Sequence, residues 1–264
     1  MSLVPTSKPA ICGVVLVVMI DFTKQGQVWG WLRMIQGTSA LQNAKGLLFS
    51  KVMGSGHEGG FVLRPSPSHQ GLICVFDCVS SVKLFLQSEL IASYRANARE
   101  FVWGMYSITS AKGLWDGIAW GVTDSTALEG VYSATEDADS TTIAVLTRAS
   151  IKPAHAVAFW RFAPATQKDL PLAKGCWLAM GMGEAPLLRQ CTFSVWRSLD
   201  DVDSYARHGA HQKAIETSYR RDFFSEAMFV RMRPLEIHGV WKEHPIDLDT
   251  RLNTKNLTDL TAHA

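Results

Sequence analysis

The chain has 264 residues, enough for one large domain or two small ones around a real core. Apolar residues make up 47% of it and charged residues 19%, which favours an ordered globular protein over a disordered one. The net charge is +2 and the basic residues are scattered, so the composition argues against a nucleic-acid-binding protein.

An apolar run from Ile11 to Ile20 is the first predicted element. Ten residues are too few to cross a bilayer, and the run ends at Asp21 without the small residues of a signal-peptide cleavage site. We therefore interpret it as a buried strand and expect a cytoplasmic protein. An odd number of cysteines without CxxC spacing agrees with free thiols in a reducing compartment; they are Cys12, Cys74, Cys78, Cys176 and Cys191.

The first half continues with alternating strand and helix patterns. In chain order we predict a helix at 27–36, strands near 47–53 and 71–77, a helix at 80–97 and a strand at 101–109. Residues 117–140 are polar and rich in turn formers, which predicts a linker.

The second half gives the same order of elements. We predict a strand at 142–151, a helix at 154–162, strands at 176–182 and 190–197, a helix at 199–221 and a strand at 227–237. Asp200 and Asp201 lie in the first turn of the last helix, where negative charge suits the helix dipole. The tail from Lys242 onward lacks periodicity, and we expect it to fray.

Short sequence matches between the halves indicate an internal repeat. LLFSKVMGSG (47–56) aligns with GCWLAMGMG (175–183), and the segments 94–115 and 219–241 both open with Tyr-Arg and close with Gly-x-Trp. Each half then reads β-α-β-β-α-β, the ferredoxin-like unit, whose sheet leaves one apolar face bare. The sequence therefore predicts an α+β fold in which two tandem ferredoxin-like repeats form a single-chain dimeric α/β barrel.

The predicted organisation follows from this repeat. A first ferredoxin-like half covers 1–116 and a linker covers 117–140. A second half covers 141–241 and a tail covers 242–264.

The halves differ most in the second helix, where the second half has extra residues around 206–215. This segment contains His208 and His211, which a helix places on nearly one face. Imidazole is a ligand for haem iron and zinc, but no Asp, Glu or Cys nearby completes a zinc set. Neighbouring cations could pair with haem propionates; they are Arg207, Lys213, Arg220 and Arg221. A solvated polar helix face is the alternative.

Two glycine-rich segments, GSGHEGGF (54–61) and GMGEAP (181–186), do not open a helix after a strand, so a dinucleotide site is not indicated. We expect turns there, with His57, Glu58 and Glu184 as candidates for a pocket rim. The tryptophans fall on predicted strands and helices. They suit a packed core and the lining of an apolar cavity equally well, so they do not distinguish the two.

Several segments resemble the spheroidene monooxygenase family, the carotenoid-oxidising enzymes of purple bacteria. The matching segments are LTRASIKP (146–153), FW (159–160), GMGEAP (181–186), QCTFSVW (190–196), YARHGAHQKAI (205–215), GSGHEGGF (54–61), YRANARE (94–100) and SAKGLWDG (110–117). The resemblance implies a haem b monooxygenase that inserts oxygen from O₂ into a hydrophobic, carotenoid-like substrate, with electrons from ferredoxin or a similar donor. It also implies the dimeric α/β barrel superfamily, in which chlorite dismutases and dye-decolourising peroxidases hold haem with a proximal histidine.

Residue roles follow from the matching segments. His211 is the predicted axial ligand of the haem iron, with His208 as the alternative. Arg148 and Glu184 are the predicted catalytic residues. The predicted haem-binding set is completed by Arg207, Lys213, Arg220, Trp160 and Phe193.

Other functions stay open at this point. A different haem reaction on the same barrel, of the dehydratase or peroxidase type, would need no external electron donor. A non-catalytic haem or lipophile carrier would saturate the iron with two protein ligands. In a fourth hypothesis the protein has no cofactor at all. The substrate, contact with a membrane surface and the oligomeric state are not determined by the sequence.

Overall fold

A computed structural model of the chain describes residues 9–129, 141–167 (backbone only for 162–167), 170, 173–185, 187–207 and 221–248. In these ranges nine strands form one sheet: β1 (Val14–Phe22), β2 (Leu47–Gly56), β3 (Pro65–Phe76), β4 (Ala98–Gly113), β5 (Ile143–Ile151), β6 (Cys176–Ala185), β7 (Arg189–Trp196), β8 (Phe224–Trp241) and β9 (His244–Asp247). The α-helices are α1 (Gln27–Gln36), α2 (Val79–Leu86), α3 (Glu89–Asn97), α4 (Ala156–Gln167) and α5 (Leu199–Arg207).

The first eight strands close into an antiparallel barrel, and the predicted α+β barrel is confirmed. The strand order is β4-β1-β3-β2-β6-β7-β5-β8, and β8 pairs back onto β4, while β9 adds to β8 alone. Because β4 and β8 pair with each other, neither is left as a free edge of the sheet within the described residues.

Two seams of different length join strands 1–4 to strands 5–8. The long seam runs along β4 and β8 from the pair Val102–Gly239 to the pair Gly113–Met228. The short seam joins β2 to β6 at two pairs in the described residues, Gly54–Gly183 and Ser55–Met182.

Alternating side chains from all eight strands fill the barrel. Residues such as Val17, Met53, Leu146 and Met232 are buried there in one continuous apolar cluster. The rings of Tyr106 and Phe193, on strands that are not neighbours, lie 5.3 Å apart across the interior. The barrel therefore has a packed core of interdigitating side chains, like other small barrels.

The outer face of strands β1–β4 carries a second apolar cluster under α1, α2 and α3. Every residue of β1 is buried, because its odd-numbered side chains from Val15 to Met19 fill the barrel and the even-numbered ones face the helices. The ring of Phe22 packs against Trp29 of α1 and Tyr94 of α3. These contacts fix the helical layer on the first half.

Several elements differ from the prediction. The single helix predicted at 80–97 is two helices, because the Ser88 hydroxyl accepts a hydrogen bond from the Ile91 amide and caps α3. The helix predicted at 199–221 is described as far as Arg207. β3, β4 and β8 extend beyond the predicted strands.

The glycine-rich segments lie partly in strands instead of turns. Gly54 to Gly56 end β2, and Gly181 to Ala185 belong to β6, where the two segments pair with each other across the short seam. A Cβ at Gly181 would lie 2.8 Å from the Phe61 backbone, so glycine allows this close approach of the two halves.

The described part of the predicted linker packs against the barrel. Trp120 is buried in the barrel cluster, and the Thr123 hydroxyl donates to the Gly13 carbonyl and accepts from the Ile108 amide, both at 2.7 Å. In the predicted tail, β9 pairs with β8 and buries Ile246. Isolated apolar residues of these short polar segments, such as Trp120 and Ile246, therefore pack against the barrel.

Candidate functional site

One end of the barrel interior contains a cluster of charged side chains, Lys51, Asp116, Arg148, Glu184 and Glu226, which we call the charged cluster. Four of them alternate with core residues on β2, β5, β6 and β8, and so project into the barrel. Asp116 follows β4 in a turn where its backbone adopts a positive φ of 52°. Four strands and one turn, drawn from both halves of the chain, therefore meet at this point.

Arg148 is the central residue of the charged cluster, with a side chain that is 1% exposed. Its guanidinium contacts the Glu226 carboxylate and lies 3.4 Å from Asp116 Oδ1 and 3.9 Å from Glu184 Oε1. It also lies over the ring of Trp115, 5.7 Å from the centroid. A buried cation of this kind is tolerated because several carboxylates neutralise it.

Glu184 is held by two donors from the first half of the chain. Lys51 Nζ lies 2.6 Å from Glu184 Oε2, and Trp115 Nε1 donates to Oε1 at 2.8 Å. Lys51 also contacts Asp116. Arg148 and Glu184, both predicted from the sequence as catalytic, therefore lie together, within a network that also joins β2 to β6.

Two carboxylates of the cluster, Asp116 and Glu226, are held in their ionised form. Burial alone would raise the pKa of Asp116, but the hydrogen bond and charge of Lys51 outweigh it and lower the pKa. Burial alone would likewise raise the pKa of Glu226. Hydrogen bonds from the Gly117 and Asp116 amides, together with the charge of Arg148, outweigh burial and lower this pKa. Asp116 and Glu226 are therefore poor proton donors at neutral pH, and they are suited to positioning Lys51 and Arg148 more than to acid catalysis.

Sequence reasoning missed Lys51, Asp116, Glu226 and Trp115 as partners of this pair. A signal was present for Lys51 and Glu226, since each is a charged residue at an inward position of a strand that otherwise alternates apolar residues inward. Trp115 and Asp116 lay within the matched segment 110–117 but were not singled out.

A second notable region is the outer face of strands β5–β8. Thr147 stands at the middle of β5 and is exposed, whereas every residue of the corresponding strand β1 is buried. Its neighbours across the strands are Thr192 and Phe229. Farther along this face, Trp196 of β7 and Val202 of α5 form a small apolar cluster with Val145 of β5. Thr147 and Thr192 thus make this part of the outer face polar, whereas the outer face of β1 is filled by Leu16, Val18 and Ile20.

Three of the other predicted cofactor residues are described, and they occupy different parts of the fold. Arg207, at the end of α5, is exposed and paired with Asp203 at 2.5 Å. Trp160 packs against Phe61 and donates to the Leu187 carbonyl at 2.9 Å, close to the short seam. Phe193 points into the barrel. Four predicted residues lie outside the described part of the chain: His208, His211, Lys213 and Arg220.

The opposite end of the barrel contains a buried carboxylate and a histidine. Asp21 Oδ2 accepts from Arg99 Nε at 2.8 Å, and Asp21 Oδ1 lies 3.6 Å from His69 Nδ1. The same ring nitrogen lies 2.9 Å from the Ser66 hydroxyl. Burial lowers the pKa of His69, and Arg99 adds to this while Asp21 opposes it. His69 is therefore held neutral near neutral pH.

Within the described residues, no group of three or more His, Cys, Asp or Glu side chains could hold a metal ion. Across the same ranges, no helix is both long and apolar enough to cross a membrane.

Comparison with solved structures places the fold among known barrels. The crystal structure of an aldoxime dehydratase superposes with a TM-score of 0.52 over 84% of this chain and 81% of that one, at 11% sequence identity. At this identity the likeness concerns the fold alone.

Comparison of sequences is more specific, although no protein-family model matches the chain. The spheroidene monooxygenase of Rubrivivax gelatinosus is 45% identical over 87% of this chain and 85% of that protein. The spheroidene monooxygenase of Rhodobacter capsulatus is 28% identical over 81% of this chain and 86% of that protein. The 45% identity to the Rubrivivax gelatinosus protein, over 87% of this chain and 85% of that protein, establishes that this chain belongs to the spheroidene monooxygenase family.

Proposed function

We propose that the chain is a haem-dependent monooxygenase that inserts oxygen from O₂ into a hydrophobic, carotenoid-like substrate. The observation that carries this proposal is the 45% identity to a relative named spheroidene monooxygenase. The relative's name supports the monooxygenase reaction and the carotenoid substrate. The haem rests on the family resemblance of the sequence together with the features of the second half described above.

The barrel is proposed to consist of two tandem ferredoxin-like halves. The strand order is β4-β1-β3-β2 in one half and β8-β5-β7-β6 in the other, so equivalent strands occupy equivalent places. A helix follows the first strand and another precedes the last strand in both halves. In this proposal the first half serves as a scaffold and the second half binds the cofactor.

We place the haem on the outer face of the second half, between the sheet and the helices. The exposure of Thr147 on this face, where the first half is filled by aliphatic side chains, supports this placement. Arg207 stands at the end of α5 and could exchange its pairing with Asp203 for a propionate. Lys213 and Arg220 are proposed as further propionate partners.

His211 is the proposed axial ligand and His208 the alternative. Bound haem would supply an iron site for O₂, with electrons from a ferredoxin-type donor. The protein's contribution is to orient the cofactor and to exclude water from the substrate. Trp160 lies beside the short seam, and Phe193 lies inside the barrel. We propose that both residues support this region through packing.

Arg148 and Glu184 are proposed to act on the site through the strands that they hold. Thr147 and Arg148 are consecutive residues of β5 and so point to opposite faces of the sheet. A cofactor over Thr147 would lie on the outer face, whereas the charged cluster fixes β5, β6 and β8 from inside the barrel. In this arrangement the two residues position the floor of the site and do not touch the cofactor.

The visible spectrum of the haem-supplemented protein tests the proposal. We expect a Soret band in the parent, and loss or shift of that band in His211→Ala. His57→Ala, which removes a half-buried histidine of the first half, should keep the parent spectrum. A parent protein without a Soret band would overturn the haem proposal, and an effect of His208→Ala alone would move the ligand to His208.

Turnover of spheroidene with O₂ and a ferredoxin-type reductant tests the reaction. We expect a product that gains oxygen atoms from labelled O₂, and only when the reductant is present. Haem-dependent turnover without a reductant would indicate a dehydratase or peroxidase type of reaction instead. Failure of the reduced protein to bind CO, together with no turnover, would indicate a six-coordinate haem carrier.

A further inference from the structure

Helix α1 exposes a row of large apolar side chains on the outside of the molecule. Val28, Trp31, Leu32 and Ile35 are 71%, 43%, 52% and 76% exposed. The spacing i, i+3, i+4, i+7 places all four on one face of the helix. We call this face the α1 stripe. Contiguous exposed apolar surface of this kind marks an interaction site in a folded protein.

The opposite face of α1 accounts for the fold, so the α1 stripe is not needed for packing. Trp29 lies 4.9 Å from the ring of Tyr94, and Gly30 rests directly on the ring of Phe22. Met34 Sδ would lie 3.1 Å from a Cβ at Gly54 of β2. The sheet and α3 therefore hold the helix from below and leave its apolar outer face to another partner.

The segment of the chain that carries the α1 stripe has charges of one sign only. Between Phe22 and His57 the sequence has no Asp or Glu but has four basic residues, Lys24, Arg33, Lys45 and Lys51. Lys24 and Lys45 are exposed, whereas Lys51 belongs to the charged cluster and Arg33 packs over Trp29. An apolar stripe with basic flanks and a half-exposed tryptophan has the chemistry of a helix that lies in the surface of an anionic membrane.

We propose that the α1 stripe docks the protein on the surface of an anionic lipid membrane, with α1 lying in the plane of the headgroups. Val28, Trp31, Leu32 and Ile35 enter the boundary between headgroups and acyl chains, and Lys24 and Lys45 pair with anionic headgroups. A docked protein stands where a carotenoid-like molecule is dissolved. Docking is nevertheless independent of the proposed function, because it requires neither haem nor turnover.

Sedimentation with vesicles tests this proposal without substrate or reductant. The full chain should bind vesicles of phosphatidylglycerol and phosphatidylcholine, and the bound fraction should fall as salt is raised. The double variant Leu32→Gln/Ile35→Gln should bind at least about tenfold more weakly, since two large apolar side chains no longer leave water. Lys24→Glu/Lys45→Glu should lose the preference for phosphatidylglycerol over phosphatidylcholine vesicles.

Leu84→Gln is the matched control. Leu84 lies on α2 with 53% exposure, nearly the same as Leu32, but has no exposed apolar neighbours on its helix. Its binding should stay within about twofold of the parent. Equal weakening by Leu84→Gln, or no binding of the parent to either vesicle, would overturn the proposal. So would a change of molecular mass in solution on Leu32→Gln/Ile35→Gln, because the stripe would then join two copies of the chain.

Discussion

At the scale of single residues, the chain concentrates its unusual chemistry at the two ends of the barrel. The charged cluster surrounds a fully buried guanidinium at one end, and Asp21 with His69 lies at the other. Inward-pointing charges interrupt an otherwise apolar alternation at both places. Such residues cost stability unless they are satisfied, so their partners determine what a substitution does.

Arg148→Met is expected to lower the free energy of unfolding by about 3 kcal/mol, because it leaves three carboxylates without their buried cation. Chemical denaturation measures this. Arg189→Met is the matched control, since Arg189 approaches Asp116 and Glu184 at 3.5 and 3.7 Å but is half exposed. That variant should lose less than about 1 kcal/mol. If adding Glu226→Gln to Arg148→Met gives no recovery, the uncompensated-charge explanation fails.

The stability of the protein should fall on acidification below pH 6.5 through His69. Burial lowers the pKa of His69 below its ordinary value of 6.5, so the unfolded chain binds the proton first as the pH falls. Stability is therefore lost between pH 6.5 and the pKa of the folded state, and the slope with pH is positive in that window. Denaturation at a series of pH values measures the slope.

His69→Gln should reduce this slope, because glutamine keeps a neutral polar side chain and does not titrate. A parent slope that survives His69→Gln would assign the pH dependence to other groups.

At the scale of elements, two glycines near the long seam distinguish the cost of a left-handed backbone from the cost of a steric clash. Gly113 ends β4 with φ +92°, and a Cβ there would lie 2.0 Å from the Ala227 carbonyl oxygen. That carbonyl accepts a hydrogen bond from the Leu114 amide and so is not free to move. Gly117 has φ +73° with nothing within 4 Å of the added atom.

Gly113→Ala should therefore destabilise the protein by more than about 2 kcal/mol, whereas Gly117→Ala should cost about 1 kcal/mol for the left-handed backbone alone. Urea denaturation of both variants gives the comparison. Equal losses would mean that contact with β8 contributes nothing at Gly113.

Much of the element order was accessible from the sequence, because it depends on periodicity. Helix α1 was predicted with the bounds Gln27–Gln36 that it has in the structure. The break between α2 and α3 was missed, since one serine hydroxyl decides it. Arg148 and Glu184 were found through a resemblance, but their partners come from distant strands, and no local pattern reports which strands meet.

At the scale of the whole molecule, both halves build one core, and neither can complete it alone. The inward side chains of β1–β4 are covered by those of β5–β8, as Tyr106 and Phe193 illustrate. The charged cluster likewise takes Lys51 and Asp116 from the first half and Arg148, Glu184 and Glu226 from the second. The closed barrel was predictable from the bare apolar face of the repeat, whereas the unequal length of the two seams was not.

This shared core has a consequence for synthesis on the ribosome. β4 leaves the exit tunnel well before β8, its partner along the long seam. At roughly 5–20 residues per second, the wait lasts on the order of ten seconds. During that time the nascent first half presents an uncovered apolar sheet with two unpaired edges, a surface on which other nascent chains can aggregate. Production of this protein should therefore depend on chaperones that shield the first half until the second has emerged.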